Sequence, residues 1–344
     1  MSQSEHTDYD AVLLVSFGGP DGPDDVLPFL ENVVRGKRVP RERLLEVAEH
    51  YYELGGRSPI NEQNVALQAA LTDYLRAQGH PLPVYVGNRN WHPLLEDTVR
   101  RMQADGVQRA LAWVASAYSC YSGCRQYRED LVRARNAVSP SAPIIDKVRA
   151  FFNHPLFLQI NAEQIAAALT TWPAEERDQV TLLCTAHSLP QAMANGCAYV
   201  DQLTATAQWV ADANGLTDWA LVYQSRSGPP HQPWLEPDIG DALRACAANG
   251  QSRIVVAPIG FLSDHVEVLH DLDTEARACS EELGLTMVRA RAAFHHRDFV
   301  KLVGDLLLER IRQRPDRAAV GPFPALPDVC PPDCCPAAAT AARG

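Results

Sequence analysis

Short uninterrupted apolar runs alternate along this 344-residue chain with longer stretches in which apolar residues recur at every third or fourth position. The runs read as buried parallel strands and the stretches as amphipathic helices. Strands are predicted over 11–17, 83–87, 109–115 and 143–146, and again over 180–185, 219–224, 253–259 and 285–290. Helical patterns over 41–52, 64–78, 93–105, 155–170, 199–214, 238–248 and 297–312 separate or follow them. Such alternation requires right-handed crossovers and therefore parallel sheets. The expected fold is α/β, with two similar doubly wound, Rossmann-like parallel-sheet domains over 8–150 and 151–313 and a cleft between them. Residues 314–344 are rich in Pro and Ala without periodicity and form a tail unless something ties them down.

Composition narrows the partners. A hydrophobic content of 46% supports a sizeable core, and a formal charge of −11 argues against nucleic acid or an anionic membrane surface as the main partner. No apolar stretch approaches the roughly 18 residues of a membrane span. With a polar, acidic start, this predicts a cytoplasmic protein without integral membrane association. Nine cysteines, several of them crowded near the end, suit reduced thiols and a metal site better than disulfides.

The chemistry concentrates at two strand ends. The run 180–184 leads into Thr185-Ala186-His187-Ser188-Leu189-Pro190, which places His187 where open α/β sheets bind ligands. The run 253–260 leads into a segment where Asp264, Glu267, Asp271 and Glu275 recur at three, four and four residues, one acidic stripe on a helix. With no Lys or Arg nearby in sequence, such carboxylates suit cation capture or proton relay. Phe17-Gly18-Gly19-Pro20 lacks the pattern of a nucleotide loop and reads as a tight turn that lets something flat approach the backbone. Arg35, Lys37, Arg38, Arg41 and Arg57 make a basic cluster able to hold carboxylates.

Leu13-Leu-Val-Ser-Phe-Gly-Gly-Pro20, Gly55-Gly-Arg-Ser-Pro-Ile60, Thr185-Ala-His-Ser-Leu-Pro190 and Ser263-Asp-His-Val-Glu-Val-Leu-His-Asp271 together resemble the ferrochelatases in order and spacing. The resemblance implies insertion of Fe2+ into a porphyrin held in the cleft. It assigns His187 and Glu267 to the incoming metal and the departing pyrrole protons, with Asp271 and Glu275 completing a carboxylate ladder to solvent. Phe17, Arg35, Ser58 and Tyr127 fall on the substrate side. Some bacterial relatives carry Tyr where Phe17 stands, so no phenolate ligand is expected there. The tail cysteines Cys330, Cys334 and Cys335 resemble the cluster-binding extension of animal and actinobacterial members, implying a [2Fe-2S] centre whose fourth thiolate is Cys124 or Cys120, with zinc as the other metal such a set can take.

Similarity to actinobacterial sequences and an acidic surface point to coproporphyrin III, with propionate donors among Arg35, Lys37, Arg38, Arg57, Ser58 and Arg125. Protoporphyrin IX, a related tetrapyrrole chelation, and a non-catalytic haem or metal carrier are the competing readings. Transient contact with neighbouring haem-pathway enzymes is also expected.

Overall fold

The computed structural model describes residues 8–37, 39–228 and 231–337. Arg38 of the basic cluster and residues 338–344 of the tail lie outside them.

The first half runs β1 (Ala11–Ser16), α1 (Val26–Val33), α2 (Arg41–Glu53), α3 (Ile60–Ala77), β2 (Val84–Asn88), α4 (Leu95–Ala104), β3 (Arg109–Val114), α5 (Gln126–Val138) and β4 (Ile144–Lys147). The second runs α6 (Pro155–Leu169), β5 (Val180–His187), α7 (Gln191–Ala194), α8 (Tyr199–Ala213), β6 (Trp219–Gln224), α9 (Ile239–Ala248), β7 (Arg253–Ala257), α10 (Val266–Val268), α11 (Arg277–Glu282), β8 (Thr286–Arg289) and α12 (Phe299–Ile311). A π-helical segment, Leu269–Ala276, joins α10 to α11, and another, Tyr121–Arg125, leads into α5.

Both sheets have four strands, all parallel, in the orders β2-β1-β3-β4 and β6-β5-β7-β8. The second order repeats the first, as expected of two doubly wound units. In each, the chain steps to opposite sides of the opening strand, so a crevice opens where β1 meets β3 and where β5 meets β7. Sequence explains the strands directly: every residue of β1, and all of β5 except His187, is buried, which demands continuous apolar runs. Helix starts carry their own signals, such as Pro155 in the first turn of α6, where its missing N–H costs nothing, and Asp238 accepting from Gly240 N at 2.8 Å ahead of α9.

The halves share one core. Val12, Leu14 and Trp113 of the first sheet and Leu182, Cys184 and Val255 of the second belong to a single buried cluster that includes α6, α8 and α12. The sequence groups α12 with the second half, but its partners lie in the first. Phe299 meets Trp113 edge-on at 6.1 Å, Tyr74 of α3 donates to Asp305, and Glu309 forms a two-point ion pair with the buried Arg149 at 2.9 and 3.0 Å.

The expected free tail is not found over its described part. Asn153 donates to Phe323 O and Pro324 O, Arg149 donates to Ala318 O, and Asp328 is paired with both Arg310 and Arg317. Phe323 packs on Phe152 at 5.5 Å. Polar anchors at fixed body positions replace the periodicity that the tail lacks.

Candidate active site

β5 delivers His187 at its last position, opposite Gln224 of β6. His187 Nδ1 lies 2.6 Å from Ser188 O, a contact that places the ring proton on Nδ1 and leaves Nε2 as a lone-pair acceptor. Tyr199 donates its hydroxyl to His187 O at 3.1 Å, fixing the backbone below the ring. The loop after β7 crosses this strand end closely: a Cβ on Gly260 would sit 2.6 Å from Ala186 Cα, so only glycine allows the approach. Phe261 follows, its ring centroid 6.5 Å from that of His187 and 5.4 Å from that of His265. Burial lowers the pKa of His265, with Glu267 opposing and His187 reinforcing, so the ring is held neutral among the catalytic candidates.

The acidic stripe is shorter than its sequence spacing suggests, because tertiary partners claim its first member. Asp264 pairs with Arg289 at 2.8 Å and His295 at 3.0 Å. Burial alone would raise its pKa, but these cationic neighbours hold it below the usual carboxylate range. Arg289 also grips Asp273 through two contacts. The expectation of carboxylates without a basic neighbour therefore fails for Asp264 and holds for Glu267, Asp271 and Glu275, none of which is ion-paired to Lys or Arg among the described residues.

Glu267 stands exposed on α10, while Asp271 and Glu275 follow on the π segment. A spacing of four slightly overshoots an α turn and undershoots the wider i→i+5 turn, so the change of helix type reverses the drift and keeps the three in line. Asp271 is held by Gln224 Nε2 at 3.1 Å and by the Ser225 hydroxyl. Ser225 adopts φ 59°, a strained conformation for a non-glycine residue, at the end of β6. Sequence gave no signal for His270. It is buried, its Nδ1 has no hydrogen-bond partner, and it presents a ring nitrogen within 4.8 Å of Asp271 and Glu275 oxygens, which also lie that close to each other. His50 of α2 stacks on it at 3.6 Å and 7°, bringing the two halves together at the outer end of the carboxylate line.

The first half supplies the opposite wall. Phe17, at the end of β1, meets Phe29 at 6.1 Å, and Phe29 in turn meets Tyr51 and Trp91, with Val266 of α10 in the same cluster. Burial and then Glu267 raise the pKa of Tyr51, so its hydroxyl stays neutral. The glycines after Phe17 serve chain-to-chain contact: a Cβ on Gly18 would strike Asn88 at 2.9 Å, and one on Gly19 would strike Ser58 at 2.5 Å. Ser58 is accordingly buried against that turn.

Arg89, at the end of β2, organises this side and was missed in the sequence as one charge in a loop. Its guanidinium lies 4.7 Å from the Tyr127 ring and 5.9 Å from that of Phe17, and it pairs with the buried Asp130 at 2.7 Å. Burial and Arg89 both lower the pKa of Lys37. Arg35 and Arg57 are exposed, bonded to Asn32 and facing Glu62 respectively. Arg125 is not on this side: it binds Glu129 at 2.8 Å and Cys334 O at 3.3 Å, so the expectation that it serves as a propionate donor is withdrawn.

Residues 9–311 match the profile of one family, Ferrochelatase. The chain belongs to the ferrochelatase family. It is 54% identical to a ferrochelatase of Rhodopirellula baltica over 96% of this chain and 95% of that one. It is also 48% identical to the coproporphyrin III ferrochelatase of Mycolicibacterium smegmatis, over 92% and 94%. Among solved structures the fold is similar to CbiX, the terminal enzyme of sirohaem biosynthesis in denitrifying bacteria (14% identity, 86% of this chain and 97% of that one, TM-score 0.52), and to SirB from Bacillus subtilis with Fe3+ (12%, 88% and 94%, 0.53). As a ferrochelatase the chain is a lyase that inserts iron into a porphyrin in haem biosynthesis, and the two-unit parallel fold is that of the chelatases.

The cysteines divide according to their surroundings. Cys120 caps the helical segment before α5, its Sγ accepting from Gly123 N at 3.1 Å, and burial pushes its thiol up to about 11. Cys124, one turn on, lines a pocket with Cys330 and Cys334. Burial, followed by Cys124 and Cys334, raises the pKa of both Cys330 and Cys335. Arg128 reaches the Cys334 sulfur at 3.8 Å and donates to the carbonyls of Cys330, Pro331 and Pro332. A single zinc would bring its four sulfurs within about 3.8 Å of one another. No three of these sulfurs lie within 4.8 Å of one another, the one such trio of donor atoms among the described residues being that of His270, Asp271 and Glu275. Two pairs spread over two irons fit this spacing, whereas one tetrahedral ion does not.

Proposed function

We propose that the chain inserts Fe2+ into coproporphyrin III, with His187 as the base that removes pyrrole protons and Glu267 as its acidic partner. The observation that carries this reading is the convergence of a lone-pair-bearing imidazole and a line of carboxylates on the loops after β5 and β7, where the second sheet opens. His187 Nε2 accepts a proton from the ring and offers a borderline-soft contact to the metal. Neutral His265 beside it adds no competing charge. Glu275, Asp271 and His270 at the outer end hold the ferrous ion on its way in, and a carboxylate line open to solvent carries protons out. Phe17, Phe29 and Trp91 supply apolar surface for the flat ring.

Substrate choice rests on the first half. Lys37 and Arg89 are close enough to oppose each other's charge, and a propionate between them relieves that repulsion. Arg35, Arg57 and Ser58 serve the remaining propionates of a four-carboxylate ring, with Tyr127 reached through Arg89. The 48% identity to a coproporphyrin III ferrochelatase supports the same choice.

Cys124, Cys330, Cys334 and Cys335 hold a [2Fe-2S] cluster in this reading, which supplies one-electron chemistry that metal insertion does not use. The proposed setting is the cytoplasm, where product passes by transient contact to the enzyme acting next; no described helix is long and apolar enough to cross a membrane.

The test is an anaerobic absorbance assay with Fe2+ and coproporphyrin III. Wild type should convert the porphyrin, and His187→Ala should bind it without converting it; turnover by the variant at the wild-type rate excludes His187 as the base. For the cluster, Cys124→Ser should bleach the anaerobically purified protein and Cys120→Ser should not, and a wild type without iron and sulfide rejects the cluster.

A further inference from the structure

Six large apolar side chains are exposed among the described residues, and three of them, Val132, Ile144 and Val329, at 55, 45 and 76%, surround one pocket of about 210 Å³ on the outer face of α5. Scattered apolar residues on a surface need no explanation, but their concentration around a concavity does. A second hollow, of about 640 Å³, adjoins it and shares Arg128, Val132 and Cys330. The rim is basic. Its carboxylates are already matched, Asp146 by Arg109, Asp328 by Arg310 and Arg317, and Glu129 by Arg125. Arg128, Arg135 and Lys147 donate instead to backbone carbonyls, which leaves their charge uncompensated. Arg133 adds a fourth cation, sharing Asp130 with Arg89. This positive face sits on a chain of formal charge −11.

We propose that this face docks an acidic iron–sulfur protein, which seats an apolar side chain in the pocket and rings it with carboxylates. The proposal rests on the reading of the four cysteines as a cluster site. Cys124, Cys330 and Cys334 line the pocket, so whatever enters it comes into direct contact with three of the four thiols. That approach serves a partner concerned with thiolate-bound iron. A lipid surface fits less well, because membranes take up protruding apolar side chains and here the apolar groups surround a hollow.

The experiment is a calorimetric titration of the full-length, anaerobically purified protein with a purified plant-type [2Fe-2S] ferredoxin as the acidic probe. Binding should weaken at least tenfold when salt is raised from about 20 to about 200 mM, since exposed charge pairs are screened over a Debye length of about 8 to 10 Å. Arg133→Glu with Arg135→Glu should weaken it at least tenfold, and Val329→Asp should do so independently, all with metal insertion unchanged. No ferredoxin binding at low salt, equal binding by the variants, or a preference for phosphatidylglycerol vesicles over ferredoxin overturns the proposal. Iron and sulfide analysis separates the two readings. A protein without a cluster whose binding still responds to charge reversal loses the cluster but keeps the docking face; a cluster-loaded protein that does not bind loses the docking face alone.

Discussion

Replacing Arg89 by Leu separates what this residue does for the fold from what it does for the substrate. Arg89 and Asp130 are 11% and 6% exposed at their side chains, and their contact of 2.7 Å is ionic without an aligned hydrogen bond to Asp130 Oδ2. Removing one partner of a buried pair costs about 3 to 5 kcal/mol because the other charge is left uncompensated. Arg133 reaches Asp130 from the solvent side and moderates that loss. The lost cation–π contact with Tyr127 adds about 1 kcal/mol, so the expected total is about 3 to 4 kcal/mol. Urea denaturation should show this in Arg89→Leu. The double variant Arg89→Leu/Asp130→Leu should recover most of it, since no buried charge remains. KM for coproporphyrin III should rise tenfold or more in both, because neither has the cation. A double variant that regains stability and wild-type KM together would show that Arg89 only supports the fold.

Glu267→Gln should lower kcat severely and Asp271→Asn less, as solvent can bypass an outer relay; stopped-flow proton release ranks them, and the reverse order would mean the line runs the other way. Gly260→Ala should cost about 1 to 3 kcal/mol by overpacking against Ala186 and reduce insertion by displacing His187, read by thermal melts and turnover together. Burial, reinforced by Arg149 and opposed by Glu309, lowers the His154 imidazole to about 4. The unfolded chain takes up this proton below about pH 6.5 while the native state does not. The contribution is therefore full above pH 6.5 and falls as pH drops toward 4, by about 3 kcal/mol. Urea titrations across that window should steepen with acid in wild type and flatten in His154→Gln; equal slopes would assign the loss to other groups.

The strands were legible because parallel sheets buried on both faces need unbroken apolar runs, and β6 begins and ends at the expected residues 219 and 224. The placement of His187 followed from the same rule. α1 was missed because Pro28 and Gly22 punctuate it, and α5 because charged residues dominate its pattern. Spacing of three, four and four suggested one α-helical stripe, but Asp264 is bound by Arg289, 25 positions away, and the segment from Leu269 onward is π-helical. Neither is encoded locally. The same limit hid the stacking of His50 on His270 and the anchoring of the tail, where Asn153 and Arg149 act across more than 160 residues.

The central claim is tested most directly by competition between coproporphyrin III and protoporphyrin IX for Fe2+ insertion under anaerobic conditions. Each well-made charge-assisted hydrogen bond contributes about 1.5 to 3 kcal/mol, less where exposed, so two additional propionates should favour coproporphyrin III by at least tenfold in kcat/KM. The preference should shrink at high salt and in Arg35→Gln and Arg57→Gln. Equal or reversed preference would contradict the account of the substrate, and no insertion into either ring would contradict the account of His187 and Glu267.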